Sequence, residues 1–576
     1  MRTLIDFADP CARSATAALR CGFGVPRQTL VAHHPHQVRP LLEAVDAFAR
    51  AGQWCVGYVR YEAASAFDAA LDVHAADGPL AWFGVHDAPQ EWPVEPTDTP
   101  AVAQWDDGLP RPVFDAALHQ IQQAIAAGAL YQLNYTAPLL GTLRGTPADL
   151  FMALRRAQPG GYAAFIDTDD EQVLSVSPEL FFDWDGERIL TRPMKGTAPR
   201  GSTPEQDQAL AATLRASAKE QAENVMIVDL IRNDLSRIAQ PFSVQVSHLM
   251  RLQALPSVWQ MTSDVEARTR AGTTLADVFT ALFPCGSITG APKVQAMRMI
   301  RTLEDGPRGV YCGAVGVVRP GGAATFNVAI RTVAVQGDVL RCGIGSGITA
   351  DATAEGEWQE WRHKRAFLER ASEPFALLET LALDQGTLRS RAAHLERLAR
   401  AALHFGFPFD AAHIHAVLEA LVLAHGTGVW RVRLLLDAFG RARAEAFAME
   451  AAPARVRLAL ASRVFEAAGS EFVRFKTTRR AHYEAFAPCV PGVFDTLLFN
   501  AQGQLTECTR GNVALLLDGR WVTPPLACGL LDGIGRAHWL REGRLVEAVV
   551  RVEDLPRATG LAFVNSLRGW MDAVLV

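Results

Sequence analysis

The sequence predicts an α+β chain in two domains, and three observations carry that reading. The first is length, because 576 residues exceed what one hydrophobic core usually serves. The second is composition: a hydrophobic share of 49%, aromatics at 8% and charged residues at 20% describe an ordinary globular protein without disorder. The third is a change of pattern near residues 371 to 373. There a helical stretch, EGEWQEWRHKRAFLERA, gives way to SEPFALLETLALDQGTLRSRAAHLERLARAALHFGFPFD. The second stretch reads as two short paired strands followed by an amphipathic helix, which is how a new domain begins. The expected domains are therefore 1–371 and 372–576.

Along the first domain, strand-like runs such as WCVGYVRYE precede a Pro-rich acidic stretch, DAPQEWPVEPTDTP, that reads as a surface connection. From Phe114 a helical pattern leads through ALHQIQQAIAAGALYQLNYT into a strand. In SAKEQAENVMIVDLIRNDLSRI the apolar residues Val225, Met226, Val228, Leu230 and Ile231 predict a helix with a strongly buried face. FPCGSITGAPKVQAMRMI is a Gly-rich turn running into a helix, whose free N–H groups suit an anion. In the second domain VRFKTTRRAHYEAF places Lys476 at a strand end just before a helix. After it, FDTLLFNAQGQLTECTRGNVALLLDGRWVTPPLACGLLDGIGRAHWL gives strand, turn, strand, and then a Gly-rich turn opening a helix.

Several function classes are excluded. A net charge of -6 without a basic tract argues against nucleic acid as a partner. Nine cysteines without C-x-x-C or zinc-like spacing point to reduced thiols in a cytoplasm. Asp6 and Asp9 interrupt the first residues, and no apolar run of about 18 residues occurs, so a soluble, unexported protein is expected. Gly286-x-x-x-Gly290-Ala-Pro-Lys293 lacks the spacing of a phosphate-binding P-loop, and GIGSG at 343–347 fails the dinucleotide fingerprint.

What remains is an unusual economy of lysine. Only Lys195, Lys219, Lys293, Lys364 and Lys476 accompany the arginines among 56 basic residues. Arginine supplies charge equally well but cannot lose its proton and attack carbon. High-GC coding would also favour arginine, so position must decide whether the survivors are chemical. Beside them, Glu220 and Glu223 lie three apart, as do Glu357 and Glu360. Each pair therefore projects from one side of a helix. One such pair is ordinarily a solvated face. Two pairs flanked by apolar residues suggest four converging carboxylates, which need a hard cation, most simply Mg2+.

The segments GALYQLNYT, VSPELFF, RPMKGTAPRG, KEQAENVMIVDLIRNDLSRI, FPCGSITGAPKVQAM, RGVYCGAVG, NVAIRT and GIGSGITADATAEGEWQE, in this order, resemble the chorismate-utilising enzymes. That family includes anthranilate, aminodeoxychorismate and isochorismate synthases. The resemblance implies antiparallel sheets flanked by helices, with chorismate as substrate and Mg2+ on Glu220, Glu223, Glu357 and Glu360. Members that add water resemble one another in carrying a lysine base where this chain has Gln132, so ammonia is the implied nucleophile. The P-x-K-G-T form of the segment around Lys195 is similar to aminodeoxychorismate synthase. There the amine is implied to attack ring carbon 2 as the C4 hydroxyl leaves, and must be partly deprotonated. Glu179 would be the general acid, its pKa raised by burial. Arg331 and Tyr311 would grip a substrate carboxylate, and Thr289, Gly345 and Gly347 would contact the substrate. Gln260 stands where many relatives carry a histidine.

The region after residue 372 resembles the fold-class IV pyridoxal-phosphate enzymes, which include aminodeoxychorismate lyase. By that resemblance Lys476 forms the Schiff base with the cofactor, Glu507 of TECTRGN pairs with the pyridinium nitrogen, and Arg397 of HLERL binds the phosphate. The turn at Gly533, Ile534 and Gly535 would add backbone donors to the phosphate. Like charge from neighbouring arginines would lower the Lys476 pKa. The segment that precedes the first strand in stand-alone relatives has no counterpart here, so other residues would replace it.

Together these imply a bifunctional enzyme that aminates chorismate and then eliminates pyruvate to give 4-aminobenzoate, a folate precursor. No glutaminase domain is recognisable, so ammonia would come from a separate glutamine amidotransferase subunit or from free ammonium. The resemblance also admits a homodimer through the second domain. The competing readings are an anthranilate synthase fused to an aminotransferase-like domain, against which Lys195 speaks, and a catalytically dead sensor or scaffold.

Overall fold

Both faces of a central strand must be apolar if both are covered, and the strand Ala314–Val318, AVGVV, has that character. In the computed structural model, which describes residues 2–10, 18–93, 101–201, 204–255, 258–449, 453 and 455–576, that is its environment. Val315 and Val317 point into a sandwich between two sheets, while Ala314 and Val318 face a layer of helices. The period of two makes one short run serve two cores.

Contacts divide the chain into Met1–Pro374 and Phe375–Val576. The helix Ala354–Ser372 closes the first unit. Among the described residues that unit is α+β, with a nine-stranded and a ten-stranded sheet whose pairings are antiparallel. Ile5, Phe7 and Tyr162 from the first sheet meet Val56, Tyr58 and Val317 from the second. The helices Pro35–Arg50 and Ala218–Ser236 cover the ten-stranded sheet, and Arg111–Ala126 and Ala354–Ser372 cover the other. Each large apolar side chain so buried contributes about 1.5–3 kcal/mol.

The helix Ala218–Ser236 buries Asn224, Ile227, Val228, Ile231 and Leu235. That stripe corrects the expected face, because Val225 lies 41% exposed on the opposite side. The spacing of three and four residues, not apolarity alone, selects the inward positions. Ser217 caps the helix by accepting from the Glu220 amide at 3.4 Å, which fixes where the Glu220 and Glu223 side chains begin their turn.

The second unit is also mixed. Strand Leu377–Asp384 pairs with Thr387–Leu388 through a turn at Gln385 and Gly386, both with positive φ, and the helix Arg391–Phe405 follows, in the order expected. An eight-stranded sheet comes next, with Arg455–Leu460 parallel to both Asp495–Phe499 and Gly569–Leu575. Lys476 is not at a strand end. It lies between the short helices Glu471–Arg474 and Ala481–Glu484, and its carbonyl accepts from the Leu378 amide at 2.9 Å. Residues 94–100 of the Pro-rich stretch lie outside the described residues. Among the described residues no helix is long and apolar enough to cross a membrane, and the cysteines are free thiols.

Candidate active site

Lys195 owes its direction to a fault in strand pairing. The strand Met194–Pro199 pairs Met194 with Thr262 and Thr197 with Gln260, so the register slips across Lys195 and Gly196. Such a bulge re-aims a side chain, and Gly196 takes φ 91°, which glycine reaches without strain. The amide nitrogen of Gln260 donates to the Gly196 carbonyl at 3.1 Å and holds the bulge. Lys195 thereby enters a pocket that it shares with Glu179, Tyr311, Arg331, Gly345 and Gly347. At Gly347 a Cβ would lie 2.3 Å from Gln132 Nε2 and 2.9 Å from Lys195 Nζ, so a side chain there would displace both termini from the space they share.

Glu179 is buried beside this amine and accepts from the Ser287 hydroxyl at 2.7 Å. Burial pushes its carboxyl up to about 7, although Ser287 and Lys195 favour the charged form. Arg331 sits at φ 49° with its guanidinium on Gln158. Burial, with Arg370 nearby, lowers it to about 10, so an anion in the pocket would be welcome. Thr289 is fully buried with its hydroxyl on the Cys285 carbonyl at 3.1 Å, and its neighbours Ser287 and Ile288 line the pocket.

The four glutamates do line the same pocket. Burial raises Glu220, Glu223 and Glu357 above the usual carboxylate range. Burial acts on Glu360 in the same sense, but Lys364 at 2.7 Å outweighs it and the group ends lowered. Lys219 stands 3.9 Å from Glu223 and 3.7 Å from Glu357. Among the described residues no His, Cys, Asp or Glu group closes into a ready metal cluster. Mg2+ commonly takes one or two carboxylates and completes its shell with water and substrate, and Glu220, Glu223 and Glu357, which stay raised despite the lysines beside them, are the carboxylates that would fit it. Lys219, Lys364 and Ser287 were not singled out in the sequence, although the two lysines were marked by rarity. Lys364 also donates to the Gly345 carbonyl at 2.9 Å.

A second, half-buried amine lies in the other unit. Lys476 is lowered to about 8, first by burial and then by Arg397, with Arg480 adding to it and Glu379 and Glu507 opposing. The expected cause, its arginine neighbours in sequence, is thus secondary to desolvation. Arg397 donates through Nε and Nη2 to Glu379 at 2.9 and 2.7 Å, and through Nη1 to the Asp532 carbonyl at 2.8 Å. That last bond ties it to the turn where Gly533 opens the helix Ile534–Arg541. Gly535 packs against Asn565, where a Cβ would lie 2.5 Å from backbone. Glu507 accepts from the Tyr483 hydroxyl at 2.7 Å and the Leu531 amide at 3.2 Å, yet burial still raises it to about 8. An amine, an arginine at a helix start and a carboxyl lacking a cation fit pyridoxal phosphate. Glu379 and Tyr483, which orient Arg397 and Glu507, escaped the sequence reading.

Residues 8–370 match the family described as chorismate binding enzyme, and residues 376–576 match amino-transferase class IV. Aminodeoxychorismate synthase component 1 of Klebsiella aerogenes is 41% identical over 281 residues, 49% of this chain and 61% of that protein. Anthranilate synthase component 1 of Aquifex aeolicus is 35% identical over 274 residues, 48% of this chain and 56% of that protein. Anthranilate synthase component I from Streptococcus pneumoniae TIGR4 shares the fold, with a TM-score of 0.52 and 24% identity over 64% of this chain and 92% of that one. The matched segment spans less than two thirds of either curated relative.

Proposed function

We propose, from the premise that the chain belongs to the chorismate binding enzyme family, that it makes 4-aminobenzoate by aminating chorismate and then eliminating pyruvate. The observation that carries this reading is the bulge that brings the Lys195 amine over Gly347 beside the neutral amide of Gln132. Arg331 and Tyr311 hold a substrate carboxylate. Lys195 attacks ring carbon 2, and the shifting double bond expels the C4 hydroxyl, to which Glu179 gives its proton. Ammonia then adds at carbon 4, the bond to Lys195 breaks, and the ring double bonds return. Gln132 takes no proton at neutral pH and therefore does not activate water. Mg2+, held by some of Glu220, Glu223, Glu357 and Glu360, supplies counter-charge to the substrate when bound. The nitrogen comes from a separate glutamine amidotransferase subunit or from free ammonium, in a cytoplasmic setting.

In the second unit Arg397 and the turn at Gly533 to Gly535 would hold the phosphate of pyridoxal phosphate. Glu507, oriented by Tyr483, would pair with the ring nitrogen, and Lys476 would hold the cofactor and move the substrate proton. The cofactor supplies an electron sink when bound. The reading is tested by the arene formed from chorismate and ammonium, which is the 4-amino isomer; the 2-amino isomer sinks it.

Glu179 gives the amination its pH dependence. The acid form is the donor, so the Glu179 contribution is full below about 7 and is lost as pH rises through that value, while the attacking amine and ammonia, which act only unprotonated, lower the rate in acid. Glu179→Gln is expected to lower kcat by about 10²–10⁴-fold, leave the chorismate KM little changed and flatten the profile across that range. A pH–rate series on both proteins checks it, and an unchanged slope in the variant would count against the role.

A further inference from the structure

We infer that Ser287 is a positioning residue for the amination: its hydroxyl holds Glu179 and steadies the carboxylate that forms when Glu179 gives its proton to the departing C4 hydroxyl. The inference rests on the amination reading and extends it to a residue with no part in it so far. The Ser287 hydroxyl donates to Glu179 Oε1 at 2.7 Å, and both residues line the pocket. They are 4% and 3% exposed, so water competes poorly for either group.

What stands behind the serine sets the direction of this bond. Cys285 Sγ lies 3.2 Å from Ser287 Oγ, and burial pushes that thiol up to about 12, so it keeps its proton at neutral pH. Sulfur accepts weakly and a carboxyl oxygen accepts well, so the hydroxyl proton goes to Glu179. The serine is also held through its backbone. At Gly286 a Cβ would lie 2.3 Å from Leu230 Cδ2, which presses the turn against the helix Ala218–Ser236. The Ile288 carbonyl accepts from Arg308 Nη1 at 2.8 Å, and the Thr289 carbonyl accepts from the Asn134 amide at 2.8 Å. A donor fixed in this way meets a new charge without reorganising.

Proton transfer changes the bond. The C4–O electron pair leaves with the oxygen as water, Glu179 keeps the negative charge, and its contact with Ser287 turns from neutral to charge-assisted and therefore stronger. Among the groups that favour the charged form, Ser287 acts ahead of Lys195, the Met194 amide and Lys364. Burial keeps the proton on Glu179 until it is needed, and Ser287 eases its loss.

The test uses the full chain with Mg2+ and saturating ammonium, varies chorismate and follows the aminated product by chromatography. Ser287→Ala is expected to lower kcat about 10–100-fold, the weight of one hydrogen bond to a charged group, with the chorismate KM within about twofold of wild type. Ser287→Thr keeps the hydroxyl and should bring kcat back to within about threefold. The alanine change is then repeated in Glu179→Gln, where no proton is given and its cost should shrink below about twofold. An undiminished cost in that background overturns the inference, because Ser287 would then act without Glu179. So does a wild-type kcat in the Ala variant, or a folded Thr variant that recovers nothing. A rise in the chorismate KM in both backgrounds would place Ser287 on the substrate and is equally contrary. If the Ala variant does not fold, Ser287→Cys decides: a thiol donates weakly, so a loss in kcat is expected and a wild-type value refutes the role. Failure of the wild-type chain to aminate chorismate, or an undiminished rate in Glu179→Gln alone, would instead sink the underlying reading.

Discussion

Lys476→Ala abolishes the visible absorbance of the bound cofactor and stops pyruvate release, while chorismate is still consumed and a non-aromatic aminated product accumulates. The amine is suited to this task by where it is buried. Removal from water pushes its pKa down to about 8, and Arg397 lowers it further, so a sizeable share is neutral and nucleophilic near pH 8. Alanine leaves the phosphate anchor at Arg397 and the Glu507–Tyr483 pair in place, so cofactor affinity falls less than activity. An absorbance scan and chromatography of the products check the outcome. Persistence of the band, or continued formation of 4-aminobenzoate, would refute the assignment.

Lys195→Ala is the second large effect. The 4-amino product should fall to background or be replaced by 2-aminobenzoate, because carbon 2 would lie open to ammonia instead of to the lysine. Charge alone does not explain this expectation. Lys195 also favours the ionised forms of Glu179, Glu220 and Glu223, so a purely electrostatic part must be separated. Lys195→Arg does so, since it keeps the positive charge and removes the nucleophile. The arginine variant should fail as the alanine variant does. An undiminished 4-amino yield from either protein would count against covalent catalysis.

Much of the site was legible because the residues that form it are chemically conspicuous in this sequence. Of the five lysines, Lys195, Lys219 and Lys364 line one pocket, and Lys476 is half-buried and partly desolvated in the second unit. The glutamate pairs were legible because a spacing of three on a helix fixes a shared side. The strand, turn and helix that begin the second unit were visible for the same local reason.

What stayed hidden depends on elements far apart in the chain. Ser287 bonds Glu179 across 108 positions, and no local pattern announces that pairing. Apolarity placed Val225 inward, but the helical phase set by Ile227, Val228 and Ile231 turns it outward. The register slip that aims Lys195 is a property of two strands together. The pKa of Lys476 likewise follows from burial by the fold, which adjacent arginines in the sequence do not reveal.

The central claim is that one chain joins nitrogen to carbon 4 of chorismate and then releases the side chain from the same product. The most direct measurement supplies 15N-ammonium, chorismate, Mg2+ and pyridoxal phosphate to the purified chain and quantifies the arene and the keto acid. The expected result is 15N in 4-aminobenzoate with pyruvate formed in equal amount. Label in 2-aminobenzoate, or no labelled arene beside consumed chorismate, would contradict it.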